Sequence, residues 1–234
     1  MGTGINDSVI EALRQELQDT LDYPDSELAE IIRDVGFSCT CCGRCCTREF
    51  NGHVFLLDED TMQVKQIDPD ALVPAPDYEL CDQNGRFYVS GYALRVKKDG
   101  SCIFLDEGRC VIYDRRFSIC RLYPYMLHRE ADENGRIDWR QISGLDLHGI
   151  YHTDIPEEEA IRLARETKAY ETAYLDQMIR FYKAASAYFS DHHLKHVRRT
   201  YDLQMRRFCK GSEIEVMVYH NGAFELNRVS SGDY

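Results

Sequence analysis

The chain has 234 residues, 40 acidic side chains against 28 Lys and Arg, and a formal charge of −12. That balance argues against general nucleic-acid binding, which favours basic surfaces, and no apolar run approaches the ~20 residues of a membrane span. The opening Met1–Asp7 has neither the basic start nor the apolar core of an export signal, so the expectation is a cytoplasmic protein with reduced thiols.

Val9, Ile10, Leu13, Leu17 and Leu21 recur at helical intervals after polar Asn6-Asp7-Ser8, which predicts a helix over 7–22 with an apolar core stripe. Pro24 opens a second helix with Leu28, Ile31, Ile32 and Val35 on one side, and Gly36 stops it. Together they form an N-terminal helical extension, 1–36, that leads into Phe37–Cys46, where five of the ten cysteines crowd. This stretch reads Cys39-x-x-Cys42-Gly-x-Cys45-Cys46, with Cys41 as an extra thiol. In a Cys-x-x-Cys turn a tight loop sends two thiolates to one side. Gly43 permits positive φ there, and amides turned toward sulfur stabilise its charge.

His53–Leu57 reads as a short buried strand, and Asp58 as the cap of a brief helix through Ile67. Pro69, Pro74, Pro76 and Asn84-Gly85 mark 68–86 as a loop, with Cys81 alone in it. Residues 87–113 hold four β-rich segments: Phe87–Val89, Tyr92–Val96, Cys102–Leu105 and Cys110–Tyr113. A tight turn at Asp106-Glu-Gly108 lets Cys102 and Cys110 face one another. A short helix from about Asp114 carries Cys120 until Pro124 ends it, and a hairpin follows around Asn134-Gly135. Asp154 and Pro156 then start a long helix lined by Leu163, Thr167, Tyr170, Tyr174, Met178, Phe181, Ala185 and Phe189. Asp191 breaks it. A further helix carries Leu194, Val197, Tyr201, Met205 and Phe208, before a terminal hairpin about Asn221-Gly222.

Disulfides fit poorly: such frameworks belong mainly to small secreted chains, and the side chains of Cys41-Cys42 and Cys45-Cys46 diverge. Scattered core thiols would not put five in eight positions. Metal or iron–sulfur ligation is the reading that remains.

With its second cysteine group included, the chain resembles the YkgJ-type cysteine-cluster family, also described as the CxxCxxCC putative zinc- or iron-chelating domain. The resemblance rests on Cys39-x-x-Cys42-Gly-x-Cys45-Cys46, Cys102-Ile-Phe-Leu, Cys110-Val-Ile-Tyr and Arg116-x-x-x-Cys120-Arg121-x-Tyr-Pro124, and covers roughly 37–150. It implies metal or cluster ligation by Cys39, Cys42, Cys45, Cys46, Cys102, Cys110 and Cys120. The flagellin lysine N-methylases are similar in this domain, which implies a link to protein methylation. No S-adenosylmethionine or radical-enzyme motif accompanies it here. Two departures stand out: Arg116-Phe117 replaces the family's Arg-Pro, and Gln141–Gly149 holds no thiol where members place another cysteine.

Seven cysteines are one short of two four-ligand sites, so Cys41, Cys81 or a histidine completes the set, or one position stays open. His148 and His152 lie where the expected thiol is absent. All-thiolate ligation suits zinc and iron–sulfur alike. A 4Fe–4S-type cluster is preferred because the thiolates exceed what one zinc needs, with redox, carrier or regulatory duty. The alternatives are a side-chain modifying enzyme and a zinc-stapled module that docks a protein partner.

Arg44, Arg48, Arg115, Arg116, Arg121 and Arg129 lie near the cysteine motifs, and Arg121 is read as support for the cofactor. The His192/His196 pair and the basic run from Lys195 to Lys210 read as solvated helix faces, and Cys209 as dispensable. The expected fold class is α+β: a small antiparallel β-core holding the cysteines, two N-terminal helices, and a C-terminal helical pair and hairpin, 151–234, packed on the same unit.

Overall fold

The computed structural model describes residues 7–131, 137–141 and 146–234, with side chains left out of account at 127–131 and 137–141. The predicted turn at Asn134-Gly135, the side chain of Arg129 and the segment Ser143-Gly144 lie outside what is described.

The first two helices are α1 (Asp7–Asp22) and α2 (Asp25–Val35). Gly36 ends α2 in the left-handed region at φ +51°, its N–H donating to the Ile32 carbonyl. Both helices lie on α6 (Glu157–Asp191), a single helix of 35 residues and so about 50 Å long. Leu28 and Ile32 pack with Ala160 and Ala164, whose small side chains let the backbones approach. Burying each such aliphatic side chain contributes about 1.5–3 kcal/mol. The predicted stripe of α1 is core only in part: Ile10 is buried, whereas Leu21 at the far end is exposed.

The sheets are mostly antiparallel. Strands β1 (Phe55–Leu56), β5 (Tyr92–Leu94) and β2 (Leu72–Pro74) form one, in the order β1-β5-β2. The second runs β11-β10-β4-β3, from β11 (Ala223–Val229), β10 (Ile214–His220), β4 (Phe87–Val89) and β3 (Leu80–Cys81). Its central pair, β10 with β4, is parallel, Val216 opposite Phe87 and Val218 opposite Val89. The β-core is therefore mixed in direction, because the terminal hairpin enters it through β10. Leu56, Phe87, Val89, Leu94, Phe104, Phe117, Val216 and Val218 form the main core.

Residues 68–86 are more ordered than their prolines suggest. Asp68 caps a 3₁₀ turn at Pro69–Ala71 by accepting from the Asp70 N–H, and β2 and β3 follow. Pro74 is tolerated because β2 is an edge strand. Helix α4 (Asp58–Ile67) starts as expected, but Leu57 is its N-cap residue. The Asp58 N–H donates to Gln177 Oε1 of α6, and its carboxylate pairs with Arg180 at 3.2 Å. Helix α7 (Arg198–Phe208) begins later than its apolar spacing predicts, since His196 is drawn into a bridge with Asp82.

The remaining elements are α3 (Arg48–Asn51), the two-residue pair β6 (Leu105–Asp106) and β7 (Arg109–Cys110), α5 (Ser118–Leu122), and the hairpin β8 (Tyr125–Ala131) with β9 (Ile137–Gln141), of which α5 and β8 pack on α6. Among the described residues no helix is long and apolar enough to cross a membrane.

Candidate metal centre

Most of the cysteines sit on loops and short helices beside the main sheets. Cys41 and Gly43 are left-handed, at φ +57° and +75°, and so curl the loop. The Cys41 N–H approaches Cys39 Sγ at 3.4 Å. Cys42 faces the backbone N–H of Arg44, the Thr40 hydroxyl and the N–H of Gly149, and these hold its thiol below the ordinary range. A 3₁₀ turn, Arg44–Cys46, then presents the next two thiols, while Asn51 Nδ2 donates to the Cys45 carbonyl at 2.8 Å.

Backbone hydrogen bonds join this loop to the second cysteine group. The Cys102 N–H donates to the Cys46 carbonyl at 2.7 Å, Arg48 N–H to Gly100 O at 2.8 Å, and Thr47 bridges Ser101. Cys102 is held in a bridge to Val96, and Lys97 Nζ donates to the Leu105 carbonyl. Cys110, on β7, stands opposite Leu105. The predicted pairing of Cys102 with Cys110 across one ladder is thus corrected: the turn is tight, and the register stops three residues short of Cys102. Both thiols nevertheless reach the same cavity.

Cys120 arrives from α5. Asp60 of α4 fixes that helix's start, accepting from the Ser118 N–H and hydroxyl, each at 3.2 Å. Phe117, 1 % exposed, anchors the same end against Phe104.

On the other flank, residues 146–153 strap the loop down. Ser38 and Ile150 exchange two backbone hydrogen bonds, of 2.7 and 2.9 Å, and Arg44 Nη1 donates to the Leu147 carbonyl at 2.6 Å. Gly149, at φ +70°, lies so close to the Phe37 ring and the Ser38 carbonyl that a Cβ would collide with both.

These elements enclose one cavity of about 280 Å³. Its wall carries Cys39, Cys41, Cys42, Cys45, Cys46, Cys102, Cys110 and Cys120: all seven predicted ligands, and the extra thiol. Phe37, Phe104, Ile112, Phe117 and Tyr123 make much of the remaining surface apolar, and Arg116 is the cation on the wall. No described carboxylate lines it. Among the described residues no three His, Cys, Asp or Glu side chains converge on a single point, so the thiols ring the space rather than closing on its centre.

Burial makes ionisation costly here. It pushes the Cys102 thiol up to about 11 and Cys120 further, and raises Cys110. Cys45 donates to Cys46, which lowers Cys46 to about 7 and raises Cys45, and the Arg116 charge helps Cys46. Cys102, Cys110 and Cys120, in an apolar wall with one cation, are poor anions by themselves. A bound cation would supply the charge they lack, and this donor set fits zinc or iron.

The groups left open by the ligand count separate cleanly. Cys41 and His148 line the cavity. His148 is buried, its ring among those of Phe37, Phe50, Tyr123 and Tyr151. Cys81 is buried elsewhere, at β3, with its Sγ toward the Asp82 carbonyl, and His152 is exposed with Nδ1 on the Asp34 carbonyl. Arg121 is exposed and off the wall. Its Nη1 donates to the Arg116 carbonyl at 2.8 Å, and Arg116 itself lies 3.9 Å over the Tyr113 ring. Cys209 is exposed at the end of α7.

Sequence reasoning missed Asn51 and His53, both on the cavity wall. The available signal was a polar pair, Asn51 and His53, following Cys46 closely and preceding an apolar run. Burial and the nearby Arg48 lower the His53 pKa, so the ring is held uncharged.

Fold and site together define a small mixed helix-and-sheet protein built around a thiol-lined cavity. Residues 38–142 match the model of the CxxCxxCC family, described as a putative zinc- or iron-chelating domain, and the terminal helices lie outside the match. No curated protein and no solved structure matches the chain.

Proposed function

We propose that the cavity holds an iron–sulfur cluster of the 4Fe–4S type on thiolates drawn from Cys39, Cys42, Cys45, Cys46, Cys102, Cys110 and Cys120, and that the protein serves a redox, carrier or regulatory role in the reducing cytoplasm. One observation carries this reading. Eight thiols surround a single apolar cavity, twice the four that a closed structural zinc takes.

Such a cluster supplies one-electron exchange at a potential set by charge, hydrogen bonds and exposure. The chain's own residues address each of these. The amides of Arg44 and Gly149 donate toward Cys42, stabilising charge on that sulfur. Arg116 places a positive charge beside Cys46 and Cys110. Arg121 acts at one remove by holding the Arg116 carbonyl. Phe104, Phe117 and Ile112 keep water from the inner thiols.

The test is anaerobic purification of the full chain with iron, zinc and acid-labile sulfide analysis and a visible spectrum. Iron and sulfide in equal amounts, with a brown colour, is the expected result. A colourless protein with stoichiometric zinc and no sulfide would overturn the cluster and leave a zinc staple in its place.

A further inference from the structure

Three polar atoms of cavity-lining residues are shut away from solvent without a hydrogen-bond partner among the described residues: His53 Nδ1, Asn51 Oδ1 and the Tyr123 hydroxyl oxygen. Buried polar atoms are normally paired, so each such exception calls for an occupant of the adjoining space. The cavity supplies that space. Asn51 already uses its amide nitrogen on the Cys45 carbonyl, which ties this polar corner to the thiol loop.

The His53 ring is held from behind. It meets Tyr234 edge-on, with centroids 5.8 Å apart and planes at 86°. The Tyr234 hydroxyl donates to the Pro74 carbonyl at 2.9 Å and lies 2.8 Å from the Tyr78 hydroxyl. An uncharged imidazole fixed in orientation and lying on a wall of thiols has the properties of a metal donor.

We infer that His53 is the nitrogen donor that completes the ligand set of the thiol cavity, binding the metal through Nδ1 beside the seven cysteines. This rests on the metal-binding reading above and deepens it. Seven thiolates and one imidazole make eight donors, which removes the shortfall left by the cysteine count. The competitors are less suited. Cys41 is exposed at the mouth in a left-handed conformation, and His148 is surrounded by four aromatic rings.

The experiment uses the full chain, stripped of metal under reductant and titrated with Co²⁺ alone. Ligand-field bands report the donor set, and pulsed electron paramagnetic resonance reports ¹⁴N coupling from a bound imidazole. The wild type is expected to show nitrogen coupling. His53→Ala should abolish it and weaken Co²⁺ binding by about tenfold or more. His53→Gln, which keeps most of the volume against Tyr234, should do the same with an unchanged circular dichroism spectrum. His148→Ala should leave the coupling in place. Nitrogen coupling that survives in both His53 variants, or that vanishes only in His148→Ala, overturns the assignment while metal binding stands. A wild type that takes up no Co²⁺ overturns the metal-binding reading itself, and this inference with it.

Discussion

Replacing Gly149 by alanine probes how the strap holds the cysteine loop. Gly149 sits at φ +70°, and an added Cβ would meet the Phe37 ring and the Ser38 carbonyl. If the strap stays in place, the left-handed backbone costs about 1–2 kcal/mol and the overpacking about 1–3 kcal/mol more. If the strap lets go, the two Ser38–Ile150 bonds and the Arg44–Leu147 bond are lost, at about 0.5–1.5 kcal/mol each. The first route costs about 2–5 kcal/mol and the second about 1.5–4.5 kcal/mol. Equilibrium urea unfolding of the metal-free, reduced protein measures the loss. Gly211→Ala is the control, since Gly211 is also left-handed, at φ +86°, but has open space around it and carries only the backbone cost. A Gly149→Ala loss no larger than that of Gly211→Ala would mean the strap does not grip the loop as described.

Cys42→Ser and Cys110→Ser should each strip metal and lower stability, because binding energy at such sites is folding energy. Cys209→Ser should leave metal content unchanged, and elemental analysis of the three variants decides. In the reduced, metal-free protein at neutral pH, iodoacetamide should modify exposed Cys42 early, its thiol being held low, and Cys81 last, its thiol being buried and pushed up to about 12. Peptide mass spectrometry over time gives the order, and early labelling of Cys81 would contradict the core packing at β3. Glu79 has a buried carboxyl oxygen with no hydrogen-bond partner among the described residues, and burial raises its pKa well above the usual carboxylate range. The folded state then holds a proton that the unfolded state has released, so stability falls as pH rises above the ordinary carboxylate pKa. Glu79→Gln should flatten that decline in a pH series of urea midpoints, and an unchanged slope would exclude Glu79 as its source.

The α1, α2 and α6 boundaries were legible because local chemistry sets them: Gly36 in a left-handed stop, and Pro156 ahead of three glutamates. That the seven cysteines would gather was legible from their motifs, and all seven line one cavity. What escaped is non-local. Strands β2 and β3 are two or three residues long and exist through their partners in the sheets, against a proline-rich composition. The β10–β4 pairing carries no periodic signal, since β4 is buried on both faces and reads as a plain apolar run. His53 escaped for the same reason. One histidine ahead of Val-Phe-Leu looks like a strand end until the fold sets it against Tyr234 on the wall of the thiol cavity.

The parallel pairing of β10 with β4 also bears on how the molecule is made. Val216 meets Phe87 across 129 steps of chain, and the whole of α6 lies between them. A contact of that sequence separation is among the last that a chain can form and slows folding. That four-stranded sheet therefore stays incomplete until residues 214–229 have been synthesised, long after the cysteines of the cavity. During that interval the thiols face oxidants and stray metals while the core that Cys102 and Cys110 pack against is still incomplete. A cell producing this protein has good reason to deliver its metal late, once the final hairpin has docked.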